Sequence, residues 1–328
     1  MSNSASAGAS GLRFFELVEP PVLSRFTVDR CEELRLDSAR QEESWPKARM
    51  LVVDERGRAP MRQTRGGEWE MLTKPATDFG PSPSKDAALL GEQDGIAYWT
   101  VRGRPSLIDG DDPSQWFDLR TKGGVLDSTG AGLFTTAVAV LGWHDAGGFC
   151  ANCGSTTERR NAGWATHCPS CGREEYPRTD PAVICLVHDG GTGGSAKVLL
   201  ARQPIWPPGR YSVLAGFVEA GESLEACVLR EIEEEVGLVV SDVRYLASQA
   251  WPFPRSLMIG FSAIGDPSVT LRPAEGEISE AFWVTRDELR EGLVDNDWES
   301  PGDPTGKLML PPSISIARSM LDAWAALD

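Results

Sequence analysis

Residues 216–238 read GFVEAGESLEACVLREIEEEVGL. Apolar residues recur through its second half at helical spacing, which predicts a helix over 223–236 with Ser223 as its N-cap and Gly237 at its C-terminal end. Because successive residues turn by about 100°, carboxylates at positions i, i+3 and i+4 lie on one face of such a helix. Those positions hold Glu231, Glu234 and Glu235. The helix is therefore expected to pack with an apolar face and to present carboxylates beside it.

This acidic face has two interpretations. Like charges at i and i+4 destabilise an isolated helix by a few tenths of a kcal/mol per pair, so the cluster needs either full solvation or a cation. A bare ExxEE run is at least as often a solvated surface as a site. Mg²⁺, however, binds one or two carboxylates together with substrate phosphates, which is the arrangement that a phosphate-processing enzyme requires.

The fixed positions around the helix favour the second interpretation. The stretch fits the Nudix pattern, in which a glycine, a glutamate, an Arg-Glu pair, a Glu-Glu pair and a Gly-aliphatic pair follow one another at set spacings. Every fixed position is filled, by Gly216, Glu222, Arg230, Glu231, Ile232, Glu234, Glu235, Gly237 and Leu238. The chain therefore resembles the Nudix hydrolases. The resemblance implies an α+β fold whose catalytic part is an α/β/α sandwich with a mixed sheet.

The same resemblance implies what the acidic face does. In Nudix hydrolases this loop and helix hold divalent cations, Mg²⁺ or Mn²⁺, against a diphosphate, and a metal-activated water attacks phosphorus. Glu231, Glu234 and Glu235 are thereby assigned to metal binding and to the catalytic base, with Glu234 as the favoured base. Glu222 and Arg230 are assigned to an ion pair that supports the loop.

Four of the seven cysteines form two CxxC pairs, Cys150 with Cys153 and Cys168 with Cys171. Two such pairs can close a tetrahedral thiolate site for Zn²⁺, and four protein ligands leave no open position for catalysis. A redox CxxC usually opens a helix after a strand, whereas here each pair is followed by glycine. The sequence thus predicts a structural zinc ribbon. The other cysteines are interpreted as small buried side chains: Cys31, Cys185 and Cys227.

A second motif follows the acidic helix, since residues 248–256 read SQAWPFPRS. An aromatic pair in a proline-stiffened loop suits stacking on a nucleobase or a nicotinamide ring, because it offers rigid apolar surface at little entropic cost. The alternative is a surface turn that carries two core aromatic residues, which composition alone favours.

Together these motifs resemble the NADH pyrophosphatases, which have SQPWPFPxS after the Nudix motif. Ala250 replaces the first proline, which bears on the stiffness of the loop and on substrate preference. The ribbon, the Tyr176-Pro177 pair and the ending LPPSISIAR at 310–318 match the group as well. The resemblance implies hydrolysis of NADH or NAD⁺ to nicotinamide mononucleotide and AMP, and removal of an NAD cap from RNA.

Further site residues are carried over from the same resemblance. Substrate contacts are assigned to Tyr176, Phe217, Gln249, Trp251, Ser256 and Ala317, with Phe217 as a stacking residue. Further metal contacts are assigned to the backbone carbonyl of Ala215 and to Glu277, with Glu280 as the competing candidate. The group's homodimer implies that this chain is also a homodimer, in which the tryptophan of one chain enters the pocket of the other.

Composition and charge agree with a soluble globular protein. The 328 residues are 41% hydrophobic and 24% charged, which is typical of globular proteins, and this length favours two or three domains. The first residues have neither a basic nor an apolar region, and the longest apolar stretch, near 133–143, is too short for a membrane span. We therefore expect a cytoplasmic protein. A net charge of −16 argues against non-specific binding of nucleic acid.

The expected organisation has four parts: a flexible tail at 1–11, an α/β domain at 12–148, the ribbon at 149–176 and the Nudix domain at 177–328. Strands are predicted at 48–53, 97–101, 181–187, 197–201 and 211–214, a loop at 75–83, and helices at 130–144 and 314–327.

Two other functions are compatible with the motifs. One is a Nudix hydrolase of ADP-ribose or diadenosine polyphosphates. The other is a non-catalytic sensor of nucleotides or RNA ends that has kept the fold. The intact REIEEE run weighs against loss of catalysis, and the acidic charge weighs against a general RNA binder.

Overall fold

The computed structural model describes residues 15–104, 115–295 and 308–328, so the predicted tail at 1–11 lies outside the described residues. The chain separates into two compact units. Of the described residues, those of Pro21–Pro181 and Ser248–Met258 form the N-terminal unit, and those of Ala182–Ala247 and Ile259–Asp328 form the C-terminal unit together with residues 15–20. Among the described residues, no helix combines the length and the apolar character that crossing a membrane requires.

In the described part of the N-terminal unit, two sheets and four α-helices precede the cysteine region. Its strands are β1 (Arg49–Val53), β2 (Arg58–Gln63), β3 (Trp69–Met71), β4 (Lys74–Pro75), β5 (Ala88–Gln93), β6 (Ile96–Arg102) and β7 (Trp116–Asp118). Its helices are α1 (Glu32–Leu36), α2 (Ser38–Ser44), α3 (Leu119–Lys122) and α4 (Ser128–Ala146). One sheet has the order β4-β1-β6-β5, with β1 and β6 parallel, and the other has the antiparallel order β3-β2-β7.

Local sequence explains the main elements of this unit. Helix α4 is buried on most of its surface, as expected for a segment that is apolar all round, and Asp127 caps it by accepting the Gly130 N–H at 2.7 Å. In the core, the rings of Trp45 and Trp99 meet edge to face with centroids 5.5 Å apart. The predictions of strands at 48–53 and 97–101 and of a helix at 130–144 are confirmed. The predicted loop at 75–83 instead begins with β4 and a short 3-10 helix, Ala76–Phe79.

The cysteine region follows α4 as a small three-stranded sheet. Its strands are β8 (Glu158–Arg160), β9 (Ala165–His167) and β10 (Glu174–Glu175), in the order β10-β9-β8. Both ladders are antiparallel.

The C-terminal unit is built on a six-stranded sheet. Its strands are β11 (Asp180–His188), β12 (Lys197–Arg202), β13 (Leu214–Phe217), β14 (Ser241–Trp251), β15 (Ser256–Ile264) and β16 (Glu280–Thr285). The order is β14-β15-β11-β12-β16, and β13 pairs with β11. The helices are α5 (Leu224–Val236), α6 (Arg286–Asp295) and α7 (Ile316–Ala325).

Most sequence predictions for this unit are confirmed, including the two strands at 181–187 and 197–201, the acidic helix and the final helix. The strand predicted at 211–214 is wrong in its bounds, because β13 begins at Leu214 and ends at Phe217. Residues 213–218 carry no polar side chain, so the sequence does not mark where the strand begins or ends. Pairing with Ala182 to Cys185 of β11 places the strand at Leu214–Phe217. This shift places Ala215, Gly216 and Phe217 on a strand immediately before the acidic helix.

Candidate functional site

Helix α5 is fixed at both ends by its own sequence. Ser223 accepts the Ala226 N–H at 3.2 Å, and Gly237 ends the helix in the left-handed region at φ 68°, donating its N–H to the Glu233 carbonyl at 2.8 Å. Val228 and Ile232 are buried on the packed side. The orientation of the acidic face therefore follows from ordinary capping and burial.

Arg230 is the centre of the acidic cluster. Its guanidinium group donates to both carboxylate oxygens of Glu222, at 2.8 and 2.9 Å, in a bidentate pair. It also reaches Glu231 and Glu234, each at 2.9 Å, and the Phe217 carbonyl at 3.0 Å. One cation thus ties the loop, the end of β13 and two carboxylates of α5 together.

Glu222 and Arg230 each stabilise the charged form of the other. Hydrogen bonds from Arg230, and then from the Glu219 backbone N–H, lower the pKa of Glu222 to about 2. The hydrogen bonds to Glu222 also raise the pKa of Arg230. Both groups stay ionised over the whole physiological range, which suits the supporting ion pair that the sequence assigns to them.

Gly216 and Glu231 are in close contact. The side chain of Glu231 is only 16% exposed, and a Cβ atom built on Gly216 would overlap its carboxylate group. Burial raises the pKa of Glu231 and outweighs the opposite effect of its hydrogen bond with Arg230. The motif glycine is therefore needed for space rather than for an unusual backbone conformation.

The substitution Gly216→Ala is expected to displace the Glu231 carboxylate. The cost of overpacking is about 1–3 kcal/mol in the free energy of unfolding, and metal-dependent hydrolysis should fall with it because a proposed ligand moves. Urea unfolding and steady-state kinetics measure the two effects. Gly148→Ala is the matched control, since a Cβ atom there meets nothing within 4 Å. Equal stability and activity of both variants would contradict the expectation.

Glu235 is the most unusual carboxylate of the helix. The residue is 6% exposed, and its Oε2 atom is buried without a hydrogen-bond partner among the described residues. Burial, followed by the charges of Glu231, Glu277 and Glu234, raises its pKa to about 8. A buried carboxylate surrounded by other carboxylates and lacking a donor is favourable only if it is protonated or if a cation is bound.

The loop after β15 brings Glu277 near this position. The Ala274 N–H donates to the Glu235 carbonyl and the Arg272 N–H donates to the Val236 carbonyl, both at 2.8 Å. Glu280, the competing candidate, is engaged elsewhere, because it accepts from Arg202 and from the Tyr211 hydroxyl at 2.7 Å each. This geometry supports Glu277 over Glu280 as the additional metal-binding glutamate.

The acidic cluster suits a hard divalent cation. Its donors are carboxylate oxygens, one of them buried and without a partner, and the Gly216 space holds Glu231 against the strand. The residues that would hold the cation are Glu231, Glu234, Glu235, Glu277 and the backbone carbonyl of Ala215. Within the described ranges these oxygens are not drawn into one tight group, since only the cysteines discussed below converge so closely.

The remaining predicted contacts of the C-terminal unit differ in exposure. Phe217 is 59% exposed at the end of β13, as a stacking residue would be. Ala317 is buried in the first turn of α7, where its N–H donates to Ser315. Sequence reasoning missed one contributor, Cys227, which is buried as expected but also donates its thiol to the Phe217 carbonyl at 3.4 Å. Its place three residues before Arg230 was the available signal.

The four motif cysteines form a second, separate cluster. Their sulfur atoms lie within 4.8 Å of one another, with Cys150 and Cys171 at 3.6 Å and Cys153 and Cys168 at 3.5 Å. A thiolate tetrahedron around zinc, with bonds of about 2.3 Å, has edges of roughly 3.8 Å, so the cluster fits Zn²⁺ and is too open for disulfides.

The two halves of this cluster are built alike. The Gly154 N–H donates to the Cys150 carbonyl and the Gly172 N–H donates to the Cys168 carbonyl, both at 2.9 Å. Both glycines have φ 74°, which residues with a side chain rarely adopt. The glycine after each CxxC therefore closes a knuckle. Of the other cysteines, Cys185 and Cys227 are buried as predicted, whereas Cys31 is partly exposed and the prediction for it is wrong.

The SQAWPFPRS motif is the end of β14, the start of β15 and the turn between them, a segment that belongs to the N-terminal unit, so it is not simply a loop. Strand β14 continues to Trp251 and β15 begins at Ser256, so the turn contains only residues 252–255. Gln249 and Ser256 are buried, and the Trp251 and Phe253 rings meet edge to face at 5.0 Å. The predicted loop is thus wrong for its first half, because the prolines mark the turn and not the strands beside it. Ala250 lies on the strand.

Tyr176 is 57% exposed in the N-terminal unit, and its hydroxyl donates to Glu174 at 3.1 Å. It lies on the wall of a pocket of about 240 Å³ together with Pro177. The side chain is therefore held in place and available to a ligand.

Known proteins share these motifs in the same order. Residues 148–176 match the "NADH pyrophosphatase zinc ribbon domain" and residues 178–303 match the "NUDIX domain". A protein of Mycobacterium tuberculosis named "NAD-capped RNA hydrolase NudC" is 46% identical over 316 residues, 96% of this chain and 97% of that protein. A protein of the same name from Pseudomonas aeruginosa is 37% identical over 250 residues, 74% and 80% of the two chains. The crystal structure of a NUDIX hydrolase from Nitrosomonas europaea covers 42% of this chain and 76% of its own, at 25% identity and a TM-score of 0.34.

Proposed function

We propose, from the premise that this chain belongs to the Nudix hydrolases of the NADH pyrophosphatase type, that it hydrolyses the pyrophosphate bond of NADH and NAD⁺ and removes NAD caps from RNA. The products from the free dinucleotides are nicotinamide mononucleotide and AMP. The premise rests on one relative that matches 96% of the chain and another that matches 74% of it, and the name they share supports capped RNA as a substrate.

One observation carries the chemistry. The buried, partnerless oxygen of Glu235 stands among three further carboxylates, while Arg230 holds two of these in place. When bound at this cluster, Mg²⁺ or Mn²⁺ supplies neutralisation of phosphate charge and acidification of water. Glu234, 58% exposed and oriented by Arg230, is proposed as the base that accepts the proton of the attacking water.

In this proposal the other assigned residues bind the substrate and orient it. Phe217, Tyr176 and Trp251 offer aromatic surfaces, and Gln249, Ser256 and Ala317 are assigned to substrate contact by the family motif. The four-cysteine ribbon holds Zn²⁺ structurally. We further propose a homodimer in the cytoplasm, which the family resemblance supports.

The deciding experiment compares four substrates. The protein is incubated with Mg²⁺ or Mn²⁺ and with NADH, NAD⁺, ADP-ribose or NAD-capped RNA, and kcat/KM is obtained by product chromatography. AMP and reduced nicotinamide mononucleotide from NADH, together with 5′-monophosphate RNA from the capped transcript, are the expected products. Preference for ADP-ribose by tenfold or more, or absence of hydrolysis with either metal, would overturn the proposal.

A further inference from the structure

Two arginines of the N-terminal unit share one tryptophan ring. The guanidinium carbon of Arg35 lies 3.9 Å from the centroid of Trp164, and that of Arg30 lies 5.5 Å from it. Arg30 also lies 4.6 Å from the Phe26 ring. The Trp164 ring is fixed in turn, because its Nε1–H donates to the Leu89 carbonyl at 2.6 Å. Two positive charges are thus held side by side on a rigid aromatic surface.

This pair lacks a matching anion. Within the described ranges neither Arg30 nor Arg35 forms a salt bridge, and the buried Nε of Arg35 has no hydrogen-bond partner. Burial, and then the charge of Arg30, lowers the pKa of Arg35, while Glu32 acts in the opposite direction. In a chain of net charge −16, two adjacent unpaired guanidinium groups indicate a site for an external anion.

The pocket beside these arginines has the features of a nucleotide site. Its volume is about 240 Å³, smaller than the roughly 300–1,000 Å³ of pockets for whole drug-sized ligands. Arg35 lines it together with one carboxylate, Glu32, and its other lining residues supply two aromatic rings and an amide: Trp164, Tyr176 and Asn161. Asn161 has φ 51°, and the following Ala162 and Gly163 are also left-handed, so this amide is presented by a strained turn.

A larger cleft of about 570 Å³ in the same unit has neither lysine nor arginine among its lining residues, whereas the smaller pocket has both Arg35 and Glu32. Glu68, Glu70 and Asp127 line it, and these carboxylates would repel phosphates. A polyanion is therefore expected at the arginine pocket and not at the larger cleft.

We propose that Arg30, Arg35 and the pocket beside Trp164 bind a nucleotide of the RNA chain that follows the NAD cap, with its phosphodiester on the two guanidinium groups and its base against the aromatic wall. Stacking on aromatic rings together with phosphate contacts from arginine is the usual way in which proteins bind single strands. The inference rests on the proposed function in taking capped RNA as the substrate. Tyr176, assigned to the dinucleotide, also lines this pocket, which would place this nucleotide next to the cap.

The test measures RNA binding separately from hydrolysis. Fluorescence anisotropy with a 5′-monophosphate single-stranded RNA, without added divalent metal, compares the wild type with the double variant Arg30→Met/Arg35→Met. Methionine keeps apolar contact with Trp164 but removes the charge. We expect roughly tenfold weaker binding and a salt dependence shallower by about 0.7 per lost phosphate contact, or about 1.4 in all. Arg40→Met is the matched control, since Arg40 is exposed and faces Glu33 at 3.7 Å.

Kinetics give the second readout. For the double variant, kcat/KM with NAD-capped RNA is expected to fall by the same factor, whereas kcat/KM with NADH stays within about twofold. The pair Arg30→Lys/Arg35→Lys should recover most of the RNA affinity, and unchanged zinc content and thermal unfolding verify that each variant is folded.

Three outcomes would overturn this inference. The first is an unchanged RNA affinity of the double variant, and the second is an equal loss of kcat/KM with NADH and with capped RNA. The third is displacement of the RNA by low concentrations of inorganic phosphate, which would show that the pocket binds free phosphate only. A wild type that hydrolyses neither NADH nor capped RNA would instead refute the proposed function, and the anisotropy experiment would still decide the RNA site.

Discussion

The substitution Glu235→Gln is expected to reduce hydrolysis of NADH by at least about 10²-fold while making the metal-free protein more stable. Activity falls because a carboxylate proposed as a metal ligand becomes a neutral amide. Stability rises because the buried Oε2 of Glu235 has no donor among the described residues, a cost of about 1–3 kcal/mol that the amide reduces. Steady-state kinetics and urea unfolding in chelator-treated buffer measure the two effects.

The stability difference depends on pH in a defined direction. Glu235 has its pKa raised from an ordinary value of 4.5 to about 8, so between these values the folded state binds more protons than the unfolded state. Stability of the metal-free wild type is therefore lost as pH rises from about 4.5 to about 8, and the variant should gain its advantage over that interval. Equal unfolding free energies at pH 8 would contradict this account.

Glu234→Gln is the matched comparison on the same helix. As the proposed base, Glu234 should contribute about 10²–10⁴-fold to kcat, with metal affinity little changed. Titration of activity with Mn²⁺ separates the two variants, because only Glu235→Gln should require more metal. Near-normal turnover of Glu234→Gln at unchanged metal affinity would refute its assignment.

Replacing Cys168 by Ser is expected to release the zinc ion and to unfold the ribbon. Cys168 is fully buried, and its sulfur is 3.5 Å from that of Cys153. The three short strands around the cluster enclose little apolar surface, so the metal bonds supply most of their folding free energy. We expect the free energy of unfolding to fall by more than about 4 kcal/mol, because loss of a structural metal is among the largest effects that a single substitution can have.

Metal analysis and circular dichroism would test this expectation. The wild type should contain one zinc ion per chain, whereas Cys168→Ser should contain almost none. Cys31→Ser is the control, because Cys31 is partly exposed and outside the cluster, and it should retain zinc. If Cys168→Ser kept its zinc and its unfolding midpoint, the cysteine cluster would not be the structural element proposed here.

The parts of the site that sequence predicted well are local. The acidic face of α5 follows from helical spacing, and both knuckles follow from CxxC and a glycine, so neither needs distant contacts. Family resemblance then supplied the roles of residues whose identity alone carries no such information, such as Ala215 and Ala317.

What could not be predicted depends on contacts between distant segments. The choice between Glu277 and Glu280 required the partners of Glu280, Arg202 and Tyr211, which lie about seventy residues earlier. Arg35 and Trp164 are even farther apart in the sequence, and no periodic pattern in the sequence predicts that they meet. In SQAWPFPRS, prolines predicted a loop, although a strand continues to Trp251 because neighbouring strands decide where pairing stops.

The hydrogen bonds of Arg230 have a consequence for metal affinity. Two carboxylates assigned to the metal already accept from this guanidinium group, so a positive charge stands beside them before any metal binds. An incoming cation would compete with that charge, and we therefore expect it to bind more tightly when a diphosphate binds with it. Arg230 would in this way tune metal affinity without being a metal ligand itself.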